Sequence, residues 1–268
     1  MSQHSDPPSN APQPHAAAQP HPAAHQRPAA QAPQAAGDAA SSSPERSAVP
    51  ARPELPARTR ASRLIAVMRA KRAEDYAPVI EVLAAAGVRS FELTLTTPGT
   101  FEALPGLVER FGAEADLGVG TVTTPEQVDL AAAAGAHYLV TPVSVLPVVD
   151  RAVERGIPVI PGGLTPTELH STWSRGAAAV KVFPAGVVGA GYVKDLRGPF
   201  PGMRVVPSGG VDFEAAEAWL AAGAEAVSVG GPLLGDAFAG GDLDALAERA
   251  RRFVAACAQD ADAAGAQA

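Results

Sequence analysis

From Arg63 onward, short runs of β-branched and aromatic residues alternate with longer Ala-rich stretches in which apolar positions recur every three or four residues. The first have the length and residue types of buried strands, the second the period of amphipathic helices. Their regular alternation predicts an α/β fold, a parallel sheet with helical crossovers. Eight strands are expected, centred on Ile65–Val67, Phe91–Leu93, Leu117–Val119, Tyr138–Val140, Val159–Ile160, Val180–Val182, Val205–Val206 and Val227–Val229. Helices are expected near Asp75–Ala86, Thr100–Phe111, Thr124–Ala134, Leu146–Arg155, Thr165–Arg175, Tyr192–Leu196, Phe213–Ala222 and Leu243–Ala256. That count predicts a closed (β/α)8 TIM barrel.

Local punctuation agrees with these boundaries. Gly87, Gly135, Gly156, Gly176 and Gly223 each follow a predicted helix and precede a strand, the place of a left-handed C-cap. Thr124-Pro125 and Thr165-Pro166 put a hydroxyl at the N-cap and proline at the first helical position, and Glu168 completes a capping box with Thr165. Pro78 is tolerable only if its helix starts near Asp75 and holds it in the first turn.

Composition divides the chain. Of 268 residues 47% are hydrophobic, yet residues 1–60 are mostly Ala, Pro, Gln, His and Ser. Such a stretch buries too little apolar surface to offset its ordering entropy, so it is expected to be a disordered N-terminal tail. Residues 61–260 then form one barrel domain, and 261–268 a flexible C-terminus. The net charge of −7 argues against a nucleic-acid partner, and no apolar run is long enough to span a membrane. The tail lacks the apolar core of a secretory signal, which makes cytoplasm the expected location. His4, His15, His21 and His25 are irregularly spaced among Pro and Ala and read as solvated tail rather than a metal tract; His137 and His170 are isolated and read as structural or exposed. Cys257, the one cysteine, spaces with Leu246, Phe253 and Val254 as helix packing, leaving neither an internal disulfide nor a cysteine-based zinc site.

Two charged residues sit where apolar ones are expected. Lys181 lies inside Ala179-Val180-Lys181-Val182-Phe183-Pro184. An amine desolvated there spends part of its time neutral and can attack a ketone to form a Schiff base; the alternative is a stem lying on apolar surface with its head in water. Glu92 alternates with Phe91 and Leu93, which turns it and Thr94 toward the barrel interior. Beside Lys181 it suits proton transfer, or else forms a structural ion pair.

In such barrels the reactive groups gather at the C-terminal ends of the strands. Arg69, Thr121, Pro142 and the glycine loops Ser208-Gly209-Gly210 and Gly230-Gly231 occupy those ends here. Glycines there let backbone N–H groups approach a phosphate, although Gly-Gly also serves tight turns for geometry alone.

Together these residues resemble the class I aldolases that cleave 2-keto-3-deoxy-6-phosphogluconate or 4-hydroxy-2-oxoglutarate. The likeness spans about Leu64 to Ala256 and rests on Phe91-Glu92-Leu93-Thr94-Leu95, Gly118-Val119-Gly120-Thr121-Val122, Val140-Thr141-Pro142, Lys181-Val182-Phe183-Pro184-Ala185 and Pro207-Ser208-Gly209-Gly210-Val211. It implies a (β/α)8 barrel, usually a homotrimer, that needs no metal or other cofactor and acts on a small 2-keto acid. It further implies Lys181 as the Schiff-base lysine and Glu92 as acid/base. Thr121 would hold the pyruvyl carboxylate, Pro142 and Phe183 the wall, and Ser208, Gly209 and Gly210 the distal phosphate. Thr96 stands where many members have a carboxylate-binding arginine, and Arg69, which resembles the arginine of a galactonate-type branch, takes that role by transfer. Pro232 stands where a phosphate-binding serine often follows the pair Gly230-Gly231. Two other readings use the same residues: a phosphosugar isomerase or synthase without an imine, and a non-catalytic binding module in which Lys181 and Glu92 only pair.

Overall fold

The computed structural model describes residues 52–265, with side chains through Ala258. In chain order it comprises α1 (Ala57–Ser62), β1 (Leu64–Met68), α2 (Tyr76–Ala85), β2 (Ser90–Thr94), α3 (Thr100–Phe111), β3 (Asp116–Gly120), α4 (Pro125–Ala133) and β4 (Tyr138–Val140). There follow α5 (Leu146–Glu154), β5 (Val159–Ile160), β6 (Gly162–Gly163), α6 (Pro166–Trp173), β7 (Val180–Val182), α7 (Tyr192–Arg197), β8 (Val205–Pro207), α8 (Phe213–Ala221), β9 (Val227–Val229), α9 (Gly231–Leu234) and α10 (Leu243–Gly265).

All strand pairs are parallel, and the sheet curls. One run is ordered β5-β4-β3-β2-β1-β9 and the other β6-β7-β8. Only Pro161, which has no N–H for a ladder, separates β5 from β6, so the fifth predicted strand is present in two pieces. Ser208, directly after β8, bridges in parallel to Ser228 of β9. Each predicted strand centre falls in an observed strand. The five glycines expected to end helices all take positive φ, from 67° at Gly156 to 102° at Gly87. Thr165 forms the expected capping box with Glu168, and Thr124 forms one with Gln127. Pro78 occupies the third position of α2, behind a 3-10 turn at Ala73–Asp75, so its missing N–H falls where no helical carbonyl awaits it.

Strand alternation sorts the core into two layers. Leu64, Ala66 and Met68 of β1, with Phe91 and Leu93 of β2, join Tyr76, Ile80, Leu83 and Leu104 of the helices in the larger apolar cluster. Ile65 turns the other way, into a smaller inner cluster with Tyr138, Val140, Ile160, Val206 and Leu55. Tyr138 finds room because Gly118 faces it: a Cβ at 118 would lie 2.4 Å from the ring. Burial pushes the Tyr138 phenol well above its usual range, and the nearby Glu92 and Asp116 carboxylates add to that, against the Ser90 hydroxyl it bonds at 2.9 Å.

The domain boundary differs from the sequence reading. Residues 52–60, expected as tail, are folded. Leu55 is buried in the inner cluster, and Thr59 on α1 donates its backbone N–H (2.7 Å) and its hydroxyl (2.8 Å) to Asp116 at the start of β3. Together they close the N-terminal end of the strands. One leucine and one threonine in a Pro- and Arg-rich stretch leave no periodic signal, which is why composition alone placed the boundary late. At the other end, α10 continues to Gly265 rather than stopping at Ala256, so residues 261–265 extend a helix where a flexible terminus was expected. The rest of the expected tail, with His4, His15, His21 and His25, lies outside the described residues. No helix among the described residues is long and apolar enough to cross a membrane.

Candidate active site

Two strands place the charged pair. On β7, Val180 and Val182 pack outward in the larger cluster, so Lys181 points inward; on β2, Phe91 and Leu93 do the same and turn Glu92 inward. Both side chains are enclosed, Lys181 at 6 % exposure and Glu92 at 2 %. Lys181 Nζ lies 3.6 Å from Glu92 Oε1 and 5.5 Å from the centre of the Phe183 ring. A buried amine and carboxylate of this kind are tolerable because each is the other's partner.

The carboxylate fits because β3 gives way. A Cβ at Gly120 would lie 2.2 Å from Glu92 Oε1, so Glu92 reaches across β3 toward the mouth only while residue 120 has no side chain. The next residue, Thr121, has φ of 64°, a left-handed conformation that strains a β-branched residue by roughly 1–3 kcal/mol. Strain of that kind persists where the surroundings hold it, and here it sits on the rim of the cavity.

Lys181 and Glu92 stand in one cavity of about 570 Å³. Arg69, Thr121, Pro142, Phe183, Ser208, Gly209, Gly210, Gly230 and Gly231 all line it as well, so every site residue expected from sequence opens on the same space. Arg69 is solvent-exposed at the end of β1, and among the described residues no ion pair holds it. Gly209 and Gly210 take φ of 78° and 76°, and the Phe183 ring occupies the place of a Cβ at 209 (2.9 Å). The turn after β8 therefore needs glycine for both backbone and space, and it brings bare main chain to the cavity wall. Thr96 is exposed and does not line the cavity, whereas Pro232 does.

The sequence reading missed three lining residues that bear polar groups: Ser228, Lys71 and Asp236. Ser228 left a signal, a hydroxyl between Val227 and Val229 in an otherwise apolar strand, but it is too common a pattern to single out. Lys71 and Asp236 sit in loops whose path no periodicity foretells. His137 accepts the Leu117 N–H at its Nδ1, as a structural residue would, and His170 is exposed and stacks on Phe200 at 4.4 Å; Cys257 is buried.

Comparison with known proteins agrees with this geometry. Residues 55–248 match the family model described as KDPG and KHG aldolase. The chain is 34% identical over 194 residues to the 2-dehydro-3-deoxy-6-phosphogalactonate aldolase of Escherichia coli (strain K12), covering 72% of this chain and 93% of that protein. It is 36% identical over 200 residues to the 2-dehydro-3-deoxy-phosphogluconate aldolase of Dickeya dadantii (strain 3937), covering 73% and 92%. Among solved structures it is similar to the KDPG aldolase of Legionella pneumophila captured with pyruvate as a covalent carbinolamine intermediate, with TM-score 0.64 and 30% identity over 76% of this chain and 96% of that one.

Proposed function

The chain belongs to the KDPG and KHG aldolase family, and from that premise we propose the residues by which it works. It is a class I aldolase, a carbon–carbon lyase that splits a 2-keto-3-deoxy-6-phospho-sugar acid or 4-hydroxy-2-oxoglutarate into pyruvate and an aldehyde, glyceraldehyde 3-phosphate or glyoxylate. The observation that carries the assignment of roles is the pair Lys181 and Glu92, buried and 3.6 Å apart on the floor of a cavity open to solvent.

The Lys181 amine adds to the substrate's C2 ketone; the carbinolamine loses water to give a protonated imine. Glu92, directly or through one water, takes the proton of the C4 hydroxyl. The C3–C4 bond breaks, its electron pair forming the enamine while the C4 oxygen becomes the aldehyde carbonyl. Glu92 returns a proton to C3, and water hydrolyses the imine to pyruvate and free Lys181. Arg69, exposed at the mouth, and Thr121 hold the pyruvyl carboxylate and keep the reacting atoms aligned. Pro142 and the Phe183 ring form the apolar wall against the bound carbons. Ser208 and the main chain of Gly209, Gly210, Gly230 and Gly231 receive the distal phosphate, with Pro232 removing the hydroxyl that a serine would add there.

The finer fold reading, a closed (β/α)8 barrel, draws support from the β9–β1 pairing, the Ser208–Ser228 bridge and the continuity of β5 and β6 across Pro161. A homotrimer is the assembly the family resemblance implies, and analytical ultracentrifugation tests it.

The chemistry is tested by borohydride reduction in the presence of pyruvate, which should add a reduced pyruvyl group to Lys181, visible by peptide mass. Lys181→Arg keeps the charge but forms no imine, so pyruvate release should fall to background. An unmodified wild-type mass, or an Arg variant retaining much of the activity, would overturn the assignment and favour a phosphosugar isomerase or synthase.

A further inference from the structure

The inner face of β9 carries one hydroxyl, Ser228, at 2 % exposure. Burying a hydroxyl is unfavourable unless it finds partners, and Ser228 has two. Its Oγ donates to Glu92 Oε2 at 3.5 Å and accepts from Ser208 Oγ at 3.3 Å. The two carboxylate oxygens are thereby distinguished: Oε1 faces Lys181 Nζ, and Oε2 faces Ser228. Both hydroxyl contacts are long. Gly120 lets Oε1 sit where a side chain on β3 would stand, 2.2 Å from the place of its Cβ, so β3 offers that oxygen main chain alone. The hydroxyl from β9 is the side chain that meets the other oxygen.

We propose that Ser228 is a positioning residue for the acid/base step. It holds Oε2 so that Oε1 stays aimed at the carbon bonded to the Lys181 imine, and through Ser208 it ties the carboxylate to the glycine loop after β8. The inference rests on the aldolase reading and adds to it a residue outside the motifs that carry the family resemblance. Its consequence can be isolated with pyruvate alone. Once the imine has formed, Glu92 takes a proton from C3. The C–H electron pair becomes the C2=C3 bond of the enamine and the imine π pair moves to nitrogen. In deuterium oxide the carboxyl exchanges that proton with solvent and returns a deuteron to C3, so the methyl group of pyruvate exchanges. Imine formation and proton transfer are thus read separately, the first by borohydride trapping and the second by NMR of the methyl signal.

For Ser228→Ala, trapping on Lys181 should match wild type while methyl exchange slows by about tenfold, the loss expected when a hydrogen bond that aims a charged catalytic group is removed. Ser228→Thr, which restores the hydroxyl, should recover most of the exchange. Exchange in Ser228→Ala within twofold of wild type would overturn the proposal, as would trapping and exchange falling together without recovery in Ser228→Thr, which marks a purely structural role. Wild type that neither traps nor exchanges would instead overturn the aldolase reading itself, so the two failures are distinct.

Discussion

Gly120→Ala tests whether Glu92 works from the position seen here. The added Cβ would lie 2.2 Å from Oε1, 2.6 Å from Cγ and 2.7 Å from Cδ of Glu92. Ordinary carbon–oxygen contact is about 3.2 Å, so the carboxylate must retreat by about 1 Å, and a displacement of that size in reacting groups lowers rates on the order of a hundredfold. The retreat is confined, because Glu92 is enclosed by Lys181 on one side and Ser228 on the other. Overpacking of this kind also destabilises by roughly 1–3 kcal/mol, so the assay must be scored per folded molecule. Residue 120 does not have positive φ, which leaves alanine free of backbone strain there. Steady-state pyruvate release by the variant should show kcat down roughly a hundredfold, with borohydride trapping of pyruvate on Lys181 retained, since the amine itself is untouched. A folded Gly120→Ala protein with kcat within threefold of wild type would refute the argument, because Glu92 could then do its work from elsewhere or does none.

Other substitutions separate stability from chemistry. Asp116→Ala leaves the buried Thr59 N–H without its acceptor, while the Thr59 hydroxyl keeps Ser90 Oγ at 2.8 Å, and should lower stability to urea by about 1–3 kcal/mol, while folded enzyme keeps its kcat. Glu168→Gln tests a pH-dependent cap: the backbone N–H groups of Thr165 and Leu164, then the Thr165 hydroxyl, hold the Glu168 carboxyl below the usual carboxylate range. A folded value below the unfolded one gives stability that is full above the unfolded value of about 4.5 and lost as pH falls through the lowered one. The wild-type advantage over Gln, a few tenths to about 1 kcal/mol at neutral pH, should therefore fade on acidification in urea titrations; an advantage that stays constant down to pH 3 would contradict it.

Much of this protein is legible in one dimension. Strand and helix positions follow from apolar period, and period is local, so Val180-Lys181-Val182 and Phe91-Glu92-Leu93 already say which way each central residue turns. Helix ends follow from single residues with strong backbone preferences, as the positive φ at Gly87 and Gly176 illustrates. That Lys181 and Glu92 belong to one site follows from their being charges on apolar strands, each costly to bury without the other.

What local pattern does not contain is which side chains meet across strands. Gly118 and Gly120 read as part of a motif, but their use, to make room for Tyr138 and for the Glu92 carboxylate, depends on the register of β3 against its neighbours. Ser228 reads as an incidental hydroxyl until curling of the sheet brings β9 beside both β1 and Ser208 and sets it on Glu92. Leu55 and Thr59 read as tail until the open N-terminal end of the strands offers them burial and Asp116. Sequence alone determined the alternation of elements, the inward direction of Lys181 and Glu92, and the placing of the candidate site residues at the strand ends, because each follows from spacing along the chain. The tertiary structure alone decided their separation, the hydroxyl that faces the carboxylate and the point where the folded domain begins. Those are contacts between residues dozens of positions apart, and only the pairing of the strands in the curled sheet sets their distances.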